Sequence, residues 1–251
     1  ADFEGHPQLI RGVAGSGKTI VLANNAARFI KRRLQQPDDM FTAERRRPSR
    51  VAIICFNRSL VSFIRRKVQR ALTTQMDLGL DELGDGVMTI RHLNGLFYFE
   101  LNQRHGGPLT YVPTGEVSSS VERASRYHDQ LERLAREDPE TYDDMLFDAI
   151  YVDEGQDFEP EEFKLLLNLI RADDKTGEKS LVIFYDNAQN LYGRRLPTWS
   201  SDVGIDIAKG RRSRVMKECF RNARPTVEFA FNVLLGTKAP SGVQVQTRGY
   251  A

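Results

Sequence analysis

The sequence predicts an α/β fold, a parallel β-sheet flanked by helices. Three observations carry this. Short apolar runs recur along the chain. Stretches with apolar residues at helical spacing alternate with them. The first run feeds straight into a glycine-rich loop that opens a helix.

The first run, "QLIRGV" (residues 8–13), enters the loop. Ile20, Ala23, Ala27, Ile30 and Leu34 then recur at helical spacing. "VAIICF" (51–56) is continuous and rich in β-branched residues, as in a strand buried on both faces. Leu60, Ile64, Val68 and Leu72 mark the next helix. "GVMTI" (86–90) is a short third strand, "DAIYVD" (148–153) a fourth and "LVIFYD" (181–186) a fifth. Phe163, Leu166, Leu167 and Ile170 mark a helix between the last two.

Residues 95–146 break the alternation and read as a mostly helical insertion. A loop rich in Gly, Pro and Thr precedes a capping box from Ser119 to Glu122. Val121, Ala124, His128, Leu131 and Ala135 are expected on one face of the helix that follows. Further on, Pro225 and Gly236 bracket an expected helix, "PTVEFAFNVLL". "GVQVQTRGYA" alternates like a strand.

The bulk composition, 40 % hydrophobic and 28 % charged, is that of a globular chain with no apolar run long enough to span a membrane. No charged-then-apolar leader opens it. Cys55 and Cys219 have apolar or aromatic neighbours and read as buried thiols in a reducing, cytoplasmic setting. The histidines show no zinc-ligand spacing with them. Charge is distributed in blocks. Residues 28–70 hold 13 Lys and Arg against 3 Asp and Glu, whereas residues 137–178 hold 15 acidic residues against 3 basic ones. Residues 191–224 are basic again, 9 against 3. Such blocks suit solvated faces, and equally a protein holding a polyanion on one surface and a metal on another.

Gly12, four residues, then Gly17, Lys18 and Thr19 complete the phosphate-cradling pattern G-x-x-x-x-G-K-[ST]. Its backbone, Gly12, Val13, Ala14, Gly15, Ser16 and Gly17, can turn N–H groups towards phosphate oxygens, and the helix N-terminus adds partial positive charge. Lys18 is expected to reach the β and γ phosphates of ATP, and the Thr19 hydroxyl to bind Mg²⁺. "AIYVDEGQD" supplies a second metal group, Asp153, at the end of an apolar strand, with Glu154 placed to deprotonate an attacking water.

"GVAGSGKT", "VDEGQD", "DNAQNLYG" and "ECFRNARP", in this order, resemble the motifs of superfamily 1 helicases of the UvrD/Rep type. "CFNRSL" and "MTIRHL" resemble that family's nucleic-acid-contacting motifs, and the combination is similar to UvrD-like helicases fused to nuclease-related domains. The resemblance implies a RecA-like P-loop NTPase domain that couples ATP hydrolysis to movement along single-stranded nucleic acid, DNA rather than RNA. It implies a first motor domain in two parts, 1–94 and 147–214, around the insertion at 95–146. It also implies the opening of a second motor domain at 215–251, whose remainder is expected beyond residue 251 of the full-length protein. Gln189 and Arg221 would reach the γ-phosphate, and Gln156 and Asp157 would link the nucleotide site to Gln189. Phe56 and Tyr192 would stack on bases, with Asn57, Arg58 and Thr89 near the strand backbone. Tyr185, Ala188 and the pair Arg91-His92 depart from the family pattern. Two other classes fit the residues: a nucleic-acid-independent P-loop NTPase or kinase, and a nucleotide- or strand-binding module with negligible turnover.

Overall fold

The computed structural model describes residues 5–35, 49–174, 176–186, 197–207, 212–216, 218–220 and 246–247. The first strand, β1 (Gln8–Gly12), turns through the glycine loop into α1 (Lys18–Gln35). β2 (Val51–Cys55) follows, buried at all five positions as its continuous apolar run requires. Next come α2 (Leu60–Met76) and β3 (Met88–His92), which runs two residues past the expected strand. α3 (Leu93–Gly95) continues directly into a π-helix (Leu96–Gln103), and α4 (Ser120–Glu137) and α5 (Pro139–Met145) complete this helical region. β4 (Ala149–Asp153), α6 (Pro160–Asn168) and β5 (Ser180–Tyr185) restore the alternation. β6 (Ser213–Met216) joins the same sheet, and β7 (Glu218–Cys219) pairs with β8 (Gln246–Thr247) in a separate two-stranded ladder.

The six-stranded sheet has the order β3-β2-β4-β5-β1-β6, and every pairing in it is parallel. Side chains alternate between its two faces, and each face is covered. On one, Ile10, Ile53, Tyr151 and Phe184 pack beneath α1 and α2 with Leu22, Phe29, Ile64 and Val68. On the other, Leu9, Ile54, Val152 and Ile183 pack beneath the remaining helices with Phe97, Tyr127, Leu131, Phe163 and Leu166. Burying one such side chain stabilises the fold by about 1.5–3 kcal/mol, so this double-sided core outweighs any single surface pairing.

Two details of the helical region differ from expectation. Ser119 caps α4, its Oγ accepting from Glu122 N–H at 3.1 Å, but the Glu122 carboxylate takes its return bonds from Ser118 N–H and Oγ. Tyr127, rather than His128, joins Ala124 and Leu131 on the buried face of α4. Its ring stacks on Phe97 with centroids 4.0 Å apart, while His128 is half-buried and paired with Asn168. Ile170 lies past the end of α6, in a parallel bridge to Phe147. β6 carries no apolar run, and only its place beside β1 makes it a strand. The expected helix at 225–236 lies outside the described residues.

Candidate nucleotide site

Adjacent strands β1 and β5 send their following segments to opposite faces of the sheet. The chain after β1 becomes α1 on one face, whereas Trp199, Val203 and Ile205, after β5, pack on the other. A crevice at such a switch point, beyond the C-terminal strand ends, is where open parallel sheets bind ligands. The glycine loop and the ends of β4 and β5 meet there.

The loop backbone is shaped by its small residues. A Cβ on Gly12 would stand 2.5 Å from Ser16 Oγ and 3.1 Å from Met216 Cβ, so the turn closes only without one. Gly17 adopts φ +89°, in the left-handed region where glycine is at no steric cost. Lys18 opens α1 and folds back over the loop. Its Nζ donates to Gly12 O at 2.9 Å, Val13 O at 3.4 Å and Asp186 Oδ2 at 3.1 Å. Lys18 is 6 % exposed and Asp186 1 %, so this ion pair is largely shielded from water. The N–H groups of Lys18 and Thr19, in the first turn of α1, have no acceptor within the helix.

Beside the loop, Thr19 Oγ1 donates to Asp153 Oδ2 at 3.0 Å. The other carboxylate oxygen, Oδ1, is buried and has no hydrogen-bond partner among the described residues. Burial first, and then the adjacent Glu154, push the Asp153 carboxyl up to about 6 from its usual 3.8. A hydroxyl beside a buried, under-satisfied carboxylate is an oxygen donor set suited to a hard divalent cation. Among the described residues no group of three or more His, Cys, Asp and Glu could hold a metal by itself. A cation here would therefore complete its shell with water and ligand oxygens, as Mg²⁺ does.

Glu154 follows at φ 53° and ψ 51°, a left-handed conformation that costs a non-glycine residue about 1–3 kcal/mol. Its carboxylate is half-exposed, and Gln156 Nε2 donates to it at 2.8 Å. Gln156 Oε1 in turn accepts from Asp186 N–H at 2.9 Å. One buried amide thus ties Glu154 to the end of β5 and to the partner of Lys18.

The structure brings Gly12, Val13, Ala14, Gly15, Ser16, Gly17, Lys18, Thr19, Asp153 and Glu154 together. It adds groups with no role assigned from sequence. Asp186 ends an apolar strand just as Asp153 does, and that shared pattern is the signal that could have found it. Phe220 N–H donates to Gly15 O at 2.9 Å and Cys219 Sγ to Ala14 O at 3.3 Å, so residues after β6 rest on the loop.

The expected strand-contacting residues fare differently. Phe56 is half-buried and packs edge-on against Phe158, centroids 5.8 Å apart. Asn57 Oδ1 accepts from Ser59 N–H and Oγ, both at 3.0 Å, which shapes the entry to α2. Arg58 is exposed. Thr89 is corrected: at 4 % exposure in the body of β3, paired with Ala52, it does not reach the surface, and Arg91 and His92 occupy that strand end. Gln189, Tyr192 and Arg221 lie outside the described residues.

Cys55 is buried beside this site, and burial followed by Asp153 raises its thiol to about 12. It stays protonated and inert. No helix among the described residues is long and apolar enough to cross a membrane. No protein-family model matches the chain, and no curated protein matches it.

Proposed function

We propose that the chain is the ATP-binding and ATP-hydrolysing part of a nucleic-acid motor of the UvrD/Rep type, acting on single-stranded DNA. The observation that carries the nucleotide half is the Lys18 ammonium held over its own glycine loop, with the Thr19–Asp153 pair beside it. A triphosphate seated on the loop takes over the Lys18 ammonium from the carbonyls of Gly12 and Val13. The first-turn N–H groups of α1 donate to its oxygens. Thr19 and Asp153 would hold Mg²⁺, which would supply positive charge beside the phosphates. Glu154, held by Gln156, accepts the proton of the attacking water. The basic block at residues 28–70 and the family-like motif order support the strand half.

Calorimetry with Mg·ATP tests the nucleotide half. Lys18→Ala is expected to weaken binding more than tenfold while the fold persists, because hydrogen bonds from a charged donor contribute about 1.5–3 kcal/mol each. Unchanged affinity in a folded variant overturns the assignment. Steady-state ATP hydrolysis by the full-length protein, with and without single-stranded DNA, tests the coupling, and a rate indifferent to the strand overturns it.

A further inference from the structure

Three of the large apolar side chains exposed among the described residues are aromatic and contiguous. Tyr98, Phe99 and Tyr111 are 37 %, 45 % and 38 % exposed. Tyr98 meets Phe99 with centroids 4.7 Å apart and Tyr111 at 5.1 Å, both edge to face. Helical spacing in the π-helix places two neighbours outward together. It turns Leu96, Phe97, Glu100 and Leu101 into the core and leaves positions 98 and 99 outside. Such helices are rare and often mark functional sites.

The trio is held in place from beneath. Phe97 stacks on Tyr127, whose hydroxyl accepts from Val112 N–H at 3.1 Å. Gln130 clamps Thr110, accepting from its N–H at 2.6 Å and donating to its carbonyl at 3.1 Å. Tyr111 is thus pinned on both sides, and Asn102 Oδ1 ties the same loop to the π-helix through Leu109 N–H at 3.1 Å. The rings are pre-ordered, so a ligand stacking on them loses little entropy in arranging them.

The rim of this patch is cationic. The Arg91 guanidinium lies 5.2 Å over the Phe99 ring. Arg91 and Arg58 both act on His92, which burial and their charges hold below its usual range. In register, His92, Cys55 and Asp153 form one row across β3, β2 and β4. Arg91 precedes His92 on the edge strand β3, so the patch flanks the strand whose end lies in this row. Aromatic faces with arginines match a ligand that offers both flat rings and regular negative charge.

We infer that Tyr98, Phe99 and Tyr111 are a base-stacking platform for single-stranded nucleic acid, with Arg91 and Arg58 facing its phosphates. This rests on the strand half of the function proposed above and adds a contact surface to it. Fluorescence anisotropy of a labelled oligothymidylate at low salt tests it on the whole chain. Tyr98→Ala and Tyr111→Ala, which leave the Phe97, Tyr127 and Gln130 supports in place, are each expected to weaken binding about five- to hundredfold in variants with an unchanged unfolding midpoint. Phe99→Trp is expected to keep the affinity, with its added emission quenched by the oligonucleotide. Arg91→Gln is expected to lower the salt dependence. If the chain binds and both alanine variants bind equally well, the platform is overturned while the strand-motor proposal stands, and the patch is then a protein-facing surface. If the unaltered chain binds no oligonucleotide at low salt, both are overturned.

Discussion

The two edges of the sheet hold their carboxylates in different surroundings. At the N-terminal edge carboxylates meet arginines in ion pairs that tie the strand ends together. Asp148 accepts from Arg171 at 2.9 Å and from Arg50 N–H at 2.8 Å, using both oxygens. Glu100 pairs with Arg104 at 3.0 Å and Arg50 at 3.4 Å, Arg50 lies 4.6 Å over the Phe147 ring, and Arg212 pairs with Glu178 at 2.7 Å. At the C-terminal edge two carboxylates stand side by side. One has a buried oxygen without a partner among the described residues, and the other sits on a left-handed backbone. The difference is between carboxylates paired with arginines and carboxylates set beside one another. A buried carboxylate oxygen without a partner, beside a hydroxyl and a second carboxylate, is an arrangement suited to a cation.

The largest effect that would sharpen this contrast is at Glu154. Glu154→Gln is expected to slow ATP hydrolysis in the full-length protein about 10²–10⁴-fold, because an amide cannot accept the water's proton. Mg·ATP affinity and the unfolding midpoint should hardly move. A single-turnover rate equal to that of the unaltered protein would remove Glu154 from the chemistry.

A substitution at the other edge should do the reverse. Asp148→Ala leaves Arg171 and the Arg50 N–H without their shared acceptor, and is expected to cost about 1–3 kcal/mol of stability. Nucleotide affinity should stay as it was. Denaturant unfolding and calorimetry on one preparation check both halves, and a fall in affinity without a fall in stability would break the contrast.

The smallest effect concerns pH. Because Asp153 is raised to about 6, the folded chain keeps a proton that the unfolded chain releases from about pH 4 upward. Its contribution to stability is full below that point and is lost as pH rises through about 6. Asp153→Asn can still accept from Thr19 and carries no charge. It is expected to be more stable than the unaltered chain by about 1–2 kcal/mol at about pH 8, and to lack the slope. Unfolding midpoints taken across this range decide it. Stability that rises with pH relative to Asp153→Asn would mean that Asp153 is not strained by burial.

Much of this was legible from the chain alone because it depends on local order. Period and β-branching mark β2 and β4, since a strand buried on both faces must be apolar throughout. The spacing from Gly12 to Thr19 identifies the loop, because N–H groups can turn inward there only where side chains are small. An apolar strand that ends in Asp153 and Glu154 delivers both carboxylates to one sheet edge. The parallel sheet and the helices on both its faces follow from the same alternation.

What only the tertiary structure decided depends on which strands become neighbours. The order β4-β5-β1 brings Asp186 to Lys18 across 168 residues of sequence, and no local pattern encodes that approach. β6 exists because β1 offers it a ladder, not because its own residues prefer one. Phe56, Thr89, Tyr98 and Tyr111 are all β-prone residues in apolar company, and the chain alone gives no reason to separate them. Packing separates them: Phe56 meets Phe158, Thr89 is buried in the body of β3, Tyr98 stays on the outer side of its helix, and Tyr127 and Gln130 hold the chain on both sides of Tyr111. Burial is a property of what lies on the other side of a residue, and distant segments of the chain supply that side.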